Sequence, residues 1–145
     1  MTEGKLIGEY FFSTDKTKLD LTYIHNYLSS ESYWAKNIPI EVVQKSIDGS
    51  LCFGVYNLDR QVGFARVISD QATFAYLADV FIDKDHRGKN LSKELMKFVM
   101  ESDFVKVIRR FMLATLDAHS LYEQFGFKAL PDPQRMMGIK FFEEY

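Results

Sequence analysis

The stretch from residue 80 to residue 92 constrains the fold of this chain more than any other segment. Three apolar residues, Val80 to Ile82, typical of a buried strand, lead into a short charged loop. A predicted helix follows over residues 90–101, with Leu91, Leu95 and Phe98 on one apolar face. The start of a helix presents unpaired backbone N–H groups and the positive end of the helix dipole, which together bind anions. The segment therefore predicts an anion site in the loop between the end of a strand and the start of a helix.

Two loop residues suit an anion that comes close to the backbone. Gly88 has no side chain in the way, and Asn90 belongs to the few residue types that tolerate a left-handed conformation. The loop and helix also carry five cations within a chain that is net acidic: Lys84, Arg87, Lys89, Lys93 and Lys97. The alternative is an ordinary helix start with a solvated basic face. The glycine spacing matches neither a P-loop nor a Rossmann turn.

The rest of the sequence predicts an ordered series of strands and helices. Strands are expected at residues 7–12, 51–56, 61–68, 73–82, 110–116, 127–130 and 136–142. Further helices are expected from about Asp20, from Pro39 and over residues 118–125. Three consecutive strands joined as hairpins cannot all be parallel. We therefore predict an α/β fold with a mixed central sheet flanked by helices.

Composition narrows the class of protein. A length of 145 residues fits one domain over residues 1–145, and 47% hydrophobic residues are ordinary for a globular chain. A formal net charge of -2 argues against a nucleic-acid binder. Cys52 is the only cysteine, and the three histidines are not spaced as metal ligands, so we expect neither a disulfide nor a metal site. Residues 1–5 do not begin a secretory signal, and no apolar run is long enough to span a bilayer, so a cytoplasmic protein is expected.

Residues 77–92 resemble the central motif of the GCN5-related N-acetyltransferase (GNAT) superfamily. That motif has Gln or Arg, two variable residues, Gly, one variable residue, and then Gly or Ala at a helix start. Asp85 takes the first position, Gly88 keeps the first glycine, and Asn90 replaces the second. Residues 113–127 resemble the family's later strand and helix, which close on a Leu-Tyr-Glu…Gly-Phe sequence. The resemblance implies a mostly antiparallel GNAT-type sheet, and acetyl-coenzyme A (acetyl-CoA) as co-substrate.

The resemblance also implies where acetyl-CoA binds. Two splayed strands hold the pantothenate arm, which bonds to the backbone of Val80, Phe81 and Ile82. The diphosphate lies on the amides of one continuous run: Arg87, Gly88, Lys89, Asn90, Leu91 and Ser92. Thr115 occupies a position where many members carry an Asn that touches the cofactor arm.

Two residues are candidates for proton transfer. Tyr122 matches the family tyrosine that protonates the departing thiolate, and the alternative is a core aromatic. Asp79 is the candidate base for the amine. By strict alternation Asp79 shares a strand face with Leu77 and Phe81, where burial would raise the pKa of its carboxyl. The alternative for Asp79 is a structural residue bonded to neighbouring backbone.

Three residues are candidates for contact with the acceptor. Tyr33 and Trp34 lie in the link between the first two helices, which lines the acceptor side in the family, and core packing is the alternative. Arg66 alternates with Val62 and Phe64, so it either reaches solvent or binds an acidic part of the acceptor. We expect direct acetyl transfer to a small-molecule amine or amino-acid-like acceptor, and a homodimer is a further expectation. The alternative function is a non-catalytic module that binds coenzyme A.

Overall fold

The computed structural model describes residues 4–145, so Met1 to Glu3 of the amino-terminal segment interpreted above lie outside it. Six strands form within these residues: β1 Gly4–Ile7, β2 Tyr10–Ser13, β3 Leu51–Asn57, β4 Arg60–Ser69, β5 Phe74–Ile82 and β6 Arg110–Leu113. The α-helices are α1 Leu21–Asn26, α2 Ile40–Asp48, α3 Leu91–Met100 and α4 His119–Glu123. A π-helical turn over Tyr27–Glu31 extends α1.

The strands form one sheet in the order in which they occur along the chain, from β1 to β6. Neighbouring strands are antiparallel except β5 and β6, which run parallel because α3 carries the chain back across one face. The pairing of β5 with β6 ends at Leu77 and Leu113, although β5 continues to Ile82. The two strands therefore splay apart over the second half of β5.

The first face of the sheet is covered by α1 and α2. Asp20 caps α1 by accepting a hydrogen bond from the N–H of Tyr23, and Pro39 precedes α2, as the sequence predicts. Their buried side chains pack on Phe64 and Phe81 of the sheet. This face carries the link with Tyr33 and Trp34.

The second face is covered by α3 and α4. Its core combines the apolar stripe of α3, including Leu95 and Phe98, with strand residues such as Phe53 and with Tyr122 of α4. Burial of this stripe is the main reason why a ten-residue helix is stable here. The sheet is thus the middle layer of three, and its splayed end opens beside the start of α3.

The amino-terminal strand differs from the prediction. The single strand expected at residues 7–12 is a tight hairpin of β1 and β2, with the turn at Gly8 and Glu9. Gly8 adopts a φ of 59°, which glycine accepts without steric cost. The turn breaks the expected strand in two.

The prediction of two strands at residues 127–130 and 136–142 is wrong. The described chain has no strand after β6, which itself ends at Leu113 rather than at residue 116. Every residue from 128 to 145 is exposed. These segments have strand-like sequences, but they find no partner in the fold of one chain.

The predicted fold class is confirmed: an α/β fold with a mixed, mostly antiparallel sheet flanked by helices. Nowhere in residues 4–145 is a helix both long and apolar enough to cross a bilayer. The same residues bring together no group of three or more His, Cys, Asp or Glu side chains that could hold a metal ion.

Candidate active site

The loop before α3 has the backbone conformation that an anion site requires. Gly88 has a φ of 78° and Asn90 a φ of 66°, so both adopt the left-handed conformation that the sequence allows them. Asn90 is the N-cap of α3, yet its side chain does not cap the helix. Within residues 4–145 no protein oxygen accepts a hydrogen bond from the backbone N–H groups of residues 88–93. These donors are available to a ligand.

A cavity of about 330 Å³ lies against this helix start. It is lined by the end of β5, the loop, the first turn of α3 and one face of α4: Ile82, His86, Arg87, Gly88, Asn90, Leu91, Ser92, Lys93, Leu121 and Gln124. A cationic, N–H-rich cavity at a helix start suits a phosphate or diphosphate group.

The side chain of Arg87 is directed at the protein, although the residue is exposed. Its Nε donates to the Ile82 carbonyl at 3.1 Å, and its Nη2 donates to the Tyr27 hydroxyl at 3.0 Å. The Tyr27 ring stacks on Phe81 with centroids 3.8 Å apart. Arg87 therefore ties the anion-binding loop to both β5 and the extension of α1. Tyr27 was not predicted as a site residue, because in the sequence it is only one more apolar position on its helix.

A second tie holds the other side of the loop. The Tyr10 hydroxyl lies 2.9 Å from Nδ1 of His86, and Lys89 Nζ donates to the same hydroxyl at 3.3 Å. Lys89 also lies over the Tyr10 ring. Strand β2 thus fixes the position of two loop residues.

A β-bulge interrupts β5 at Asp79. Ala78 pairs with Arg66 and Phe81 with Phe64, so Asp79 and Val80 together face the single residue Ala65 of β4. Asp79 has a φ of 55°, which is strained for a residue with a side chain.

The bulge overturns the predicted arrangement of side chains along β5. Leu77 packs in the core beneath α3, whereas Phe81 packs in the core beneath α1 and α2. The two residues therefore face opposite sides of the sheet, and Asp79 cannot share one face with both. A second bulge, at Val62 of β4, places Val62 and Phe64 in opposite cores, so Arg66 alternates with Phe64 but not with Val62. In each strand the extra residue shifts the phase of alternation by one.

The carboxylate of Asp79 is the centre of a hydrogen-bond network. Its Oδ2 accepts from Nε of Arg66 at 2.8 Å, and its Oδ1 accepts from Nε1 of Trp34 at 2.8 Å. Arg66 also donates from Nη1 to the Ser50 hydroxyl at 3.0 Å. Both side chains of the ion pair are largely buried, with 15% of Arg66 and 10% of Asp79 exposed. The structure thus joins three residues that the sequence analysis selected separately.

The link with Tyr33 and Trp34 bridges the splayed strands. Trp34 reaches Asp79 on β5, and the Tyr33 hydroxyl accepts from the N–H of Leu116, which follows β6, at 3.1 Å. The two rings meet edge to face at 5.0 Å, and both side chains remain about half exposed. Neither aromatic residue is a core residue. They form a partly exposed wall over the gap between β5 and β6.

Tyr122 lies on α4 behind the same gap. Burial, with a smaller contribution from nearby Tyr33, raises the pKa of the Tyr122 phenol to about 12. The phenol therefore keeps its proton at neutral pH. Thr115 lies beside it on a cavity of about 900 Å³ that follows β6. The Thr115 hydroxyl accepts from the N–H of Ala118 at 3.0 Å, which fixes the start of α4.

Comparison with known proteins gives consistent matches. A family model described as an acetyltransferase (GNAT) domain matches residues 13–143. A Gibberella zeae protein, named as an inferred acetyltransferase, is 29% identical over 91% of this chain and 86% of its own length. An N-acetyltransferase ycf52-like protein of Prochlorococcus marinus, itself uncharacterised, is 36% identical over 87% of this chain and 72% of its own length.

Two solved structures described as GNAT-family proteins are also similar to this chain. A Xanthomonas campestris structure described as belonging to the GNAT family has a TM-score of 0.89 and 50% identity, and covers 93% of this chain and 95% of that one. An Elizabethkingia anophelis GNAT acetyltransferase has acetyl-CoA bound; its TM-score is 0.63 and its identity 11%, over 84% of this chain and 78% of that one. At that identity the second structure is similar in fold alone.

Proposed function

Because the chain belongs to the GNAT acetyltransferase family, and is an N-acetyltransferase by that membership, we propose that it transfers acetyl from acetyl-CoA directly to an amine. The observation that carries the proposal is the conformation of the loop before α3. Left-handed Gly88 and Asn90 lie in a run of backbone N–H groups that have no acceptor within residues 4–145 and that border a cationic cavity. Asn90 replaces the family's second glycine and still adopts the conformation that a glycine would supply there.

The residues present fit the donor. The amides from Gly88 to Ser92 would hold the diphosphate, with Lys93 beside them. The N–H of Arg87, which the sequence also predicted for this role, already donates to the Lys84 carbonyl at 3.4 Å. The pantothenate arm lies in the gap between β5 and β6, where the edge of β5 from Val80 to Ile82 has no strand partner on the β6 side. Its backbone N–H and C=O groups are suited to bond the amides of the arm.

The proposed reaction uses the thioester of acetyl-CoA, the Tyr122 phenol and the backbone at the bulge of β5. Acetyl-CoA supplies a thioester, whose acetyl group bonds to the amine nitrogen while its sulfur leaves with the electron pair of the broken bond. Tyr122 holds a proton at Oη and gives it to that sulfur, and the proton that the nitrogen loses as the amide forms restores the phenol. A backbone N–H at the bulge, near Val80, donates to the acetyl oxygen as negative charge develops there. Thr115 acts indirectly, by holding the start of the helix that carries Tyr122.

The acceptor approaches the wall formed by Tyr33 and Trp34. An alkyl ammonium has a pKa of about 10.4, so a proton must leave before the nitrogen can react. Asp79 is the candidate base by position, but both of its oxygens already accept from protein donors. These contacts favour the alternative that Asp79 is a structural residue, although its partners are side chains rather than backbone. Arg66, held by Asp79 and Ser50, helps to shape this wall. The cytoplasmic location and the small-molecule, amino-acid-like class of acceptor stay predictions.

A thiol-release assay tests the proposal. Purified protein is mixed with acetyl-CoA and a panel of amines, and free coenzyme A is followed with a thiol reagent. We expect release above the no-enzyme rate with at least one amine, and loss of most of that rate in Tyr122→Phe. Asp79→Asn distinguishes the two roles of Asp79. If the carboxylate is the base, the variant should lose activity at every pH. If Asp79 is structural, the pH–rate profile of the variant should keep the shape of the wild-type profile.

Calorimetry with coenzyme A provides the second measurement. Binding without thiol release from any amine would support a non-catalytic coenzyme A module instead. No binding by well-folded protein would contradict the donor site itself. A failure of catalysis and a failure of coenzyme A binding are therefore distinguishable.

A further inference from the structure

Asp79 has a strained backbone at the point of β5 where the pairing with β4 is interrupted. A positive φ costs energy for a residue with a Cβ, and such a conformation persists only where surrounding contacts hold it. Backbone strain of this kind is concentrated at active sites, where it serves the geometry of the reaction. The contacts that hold Asp79 therefore bear on the reaction as well as on stability.

A chain of hydrogen bonds holds the Asp79 carboxylate from β4. The Ser50 hydroxyl donates to the Ser46 carbonyl of α2 at 2.6 Å, so its only proton is engaged and it accepts from Nη1 of Arg66 at 3.0 Å. Arg66 in turn donates from Nε to Oδ2 of Asp79 at 2.8 Å. Each group has one fixed role as donor or acceptor. The carboxylate is therefore tied through Arg66 to the last turn of α2.

Trp34 holds the other oxygen of the same carboxylate. Its Nε1 donates to Oδ1 of Asp79 at 2.8 Å, and an indole nitrogen can only donate, so this bond has a single direction. The link that carries Trp34 is itself fixed, because the Tyr33 hydroxyl accepts from the N–H of Leu116 at 3.1 Å. Both oxygens of Asp79 thus have a fixed partner, one on β4 and one on the link.

The bulge leaves one peptide group of β5 outside the ladder with β4. Asp79 and Val80 both face Ala65, so only one of them can pair with it. Under the proposed function, the N–H of the peptide between Asp79 and Val80 donates to the acetyl oxygen. The Cα of Asp79 joins this peptide to a side chain that is held at both oxygens. The held side chain restricts rotation of the peptide.

We propose that Arg66 and Trp34 are positioning residues for acetyl transfer: they clamp the Asp79 carboxylate, so that the peptide N–H at the bulge stays directed at the acetyl oxygen. This role rests on the proposed function. A donor that is already in place stabilises the negative charge on that oxygen without reorienting as the charge develops. Trp34 has a second role, since its ring belongs to the wall that the acceptor approaches while its N–H holds the bulge.

Steady-state kinetics of acetyl transfer test the clamp formed by Arg66 and Trp34. Trp34→Phe keeps an aromatic ring in the wall and removes the N–H, whereas Arg66→Met removes both hydrogen bonds of the guanidinium. We expect kcat to fall about tenfold in Trp34→Phe and about a hundredfold in Arg66→Met, with the KM for acetyl-CoA changed by less than about twofold. Arg66→Lys keeps a cation beside Asp79 and should recover part of the lost rate.

Val67→Ala is the matched control for a general loss of stability. Val67 follows Arg66 on β4 but is fully buried in the core beneath α3, so its truncation destabilises the fold without removing a bond of the clamp. This variant should keep the wild-type kcat. A fall in kcat equal to that of Trp34→Phe would assign the effect to stability and reject the clamp.

Infrared spectroscopy of bound acetyl-CoA, isotopically labelled at the carbonyl carbon, gives a readout that does not depend on turnover. A hydrogen bond to the carbonyl oxygen lowers the stretching frequency of the thioester C=O group. We therefore expect the band to move to higher frequency in Trp34→Phe and in Arg66→Met, and to stay in place in Val67→Ala.

The outcomes separate this role from the proposed function. A band at the wild-type frequency in Trp34→Phe, or an unchanged kcat, would overturn the clamp while leaving acetyl transfer intact. If no amine releases thiol but acetyl-CoA binds, the band alone decides. A wild type that binds no acetyl-CoA would contradict the donor site and the clamp together. Trp34→Phe also decides if Arg66→Met does not fold, because it removes a single hydrogen bond of a half-exposed residue.

Discussion

Arg66 and Asp79 form a largely buried ion pair, Nε to Oδ2 at 2.8 Å, at the point where a bulge interrupts β5. The pair links two neighbouring strands and, through Trp34, the aromatic link above them. The strained backbone of Asp79 is held by these side-chain contacts.

Removing the charge of Asp79 should therefore destabilise the fold. Asp79→Asn keeps a residue type that tolerates positive φ but leaves the Arg66 guanidinium without its counter-charge. We expect the free energy of unfolding to fall by about 3 kcal/mol, measured by urea denaturation. Glu101→Gln is the matched control, since it breaks the exposed Lys5–Glu101 pair and should cost less than about 1 kcal/mol. Equal costs for the two variants would contradict the structural role of Asp79.

The left-handed conformation of Gly88 predicts that a substitution there weakens coenzyme A binding beyond its effect on folding stability. Gly88→Ala places a Cβ on a left-handed residue, in open space on the cavity side, and should weaken coenzyme A binding at least tenfold by calorimetry. The strain should also cost about 1 kcal/mol of folding stability. Gly8→Ala is the control: Gly8 also has positive φ and open space, but it lies in the β1–β2 turn. Gly8→Ala should lose similar stability and keep full affinity.

The contact between Arg87 and Tyr27 predicts an indirect effect on the donor site. Tyr27→Phe removes the hydroxyl that accepts from Arg87 and keeps the stacked ring on Phe81. We expect coenzyme A to bind about three- to tenfold more weakly, because the loop is less firmly held. In Arg87→Met the same Tyr27 change should have no further effect, and additive losses would show that the hydroxyl does not act through Arg87.

The raised pKa of Tyr122 predicts a stability change at high pH. An unfolded tyrosine ionises near pH 10, whereas folded Tyr122 does so near pH 12. The stabilisation is therefore fully present below pH 10 and is lost as pH rises through about 12. Tyr122→Phe lacks this term, so the free energy of unfolding of the wild type should fall more steeply between pH 10 and 12. Parallel curves for the two proteins would contradict the burial of the phenol.

Tyr122→Phe should also lower kcat by about 10²-fold at neutral pH, the usual contribution of a general acid. The apparent affinity for acetyl-CoA should change little, because the phenol serves the departing sulfur. An unchanged kcat would assign Tyr122 to the core alone.

The sequence predicted the elements whose signals are local. Alternation and turn residues gave β3, β4 and β5 within one or two residues, and the apolar stripe of α3 gave that helix almost to its ends. The left-handed Asn90 was also foreseen, because its residue type permits it. Such features depend on neighbours in the chain, which a single sequence contains.

The features that escaped prediction depend on contacts between distant residues. The bulge at Asp79 shifts the alternation that the sequence analysis assumed, so the Arg66–Asp79 pair and the opposite facing of Leu77 and Phe81 were not foreseen. Tyr27 acts through Arg87, sixty residues later. The strand-like segment at residues 136–142 has the pattern of a strand, but a pattern does not reveal whether a partner exists.

The order of the strands in the sheet affects how the chain folds. Each strand pairs with the one before it, so a nascent chain can extend the sheet in the order in which its residues leave the ribosome. Only the steps from β2 to β3 and from β5 to β6 require long loops to close, and the parallel step comes last. Closure of these two loops should therefore limit the rate of refolding, and the donor site, which lies between β5 and β6, would mature after the antiparallel strands are in place.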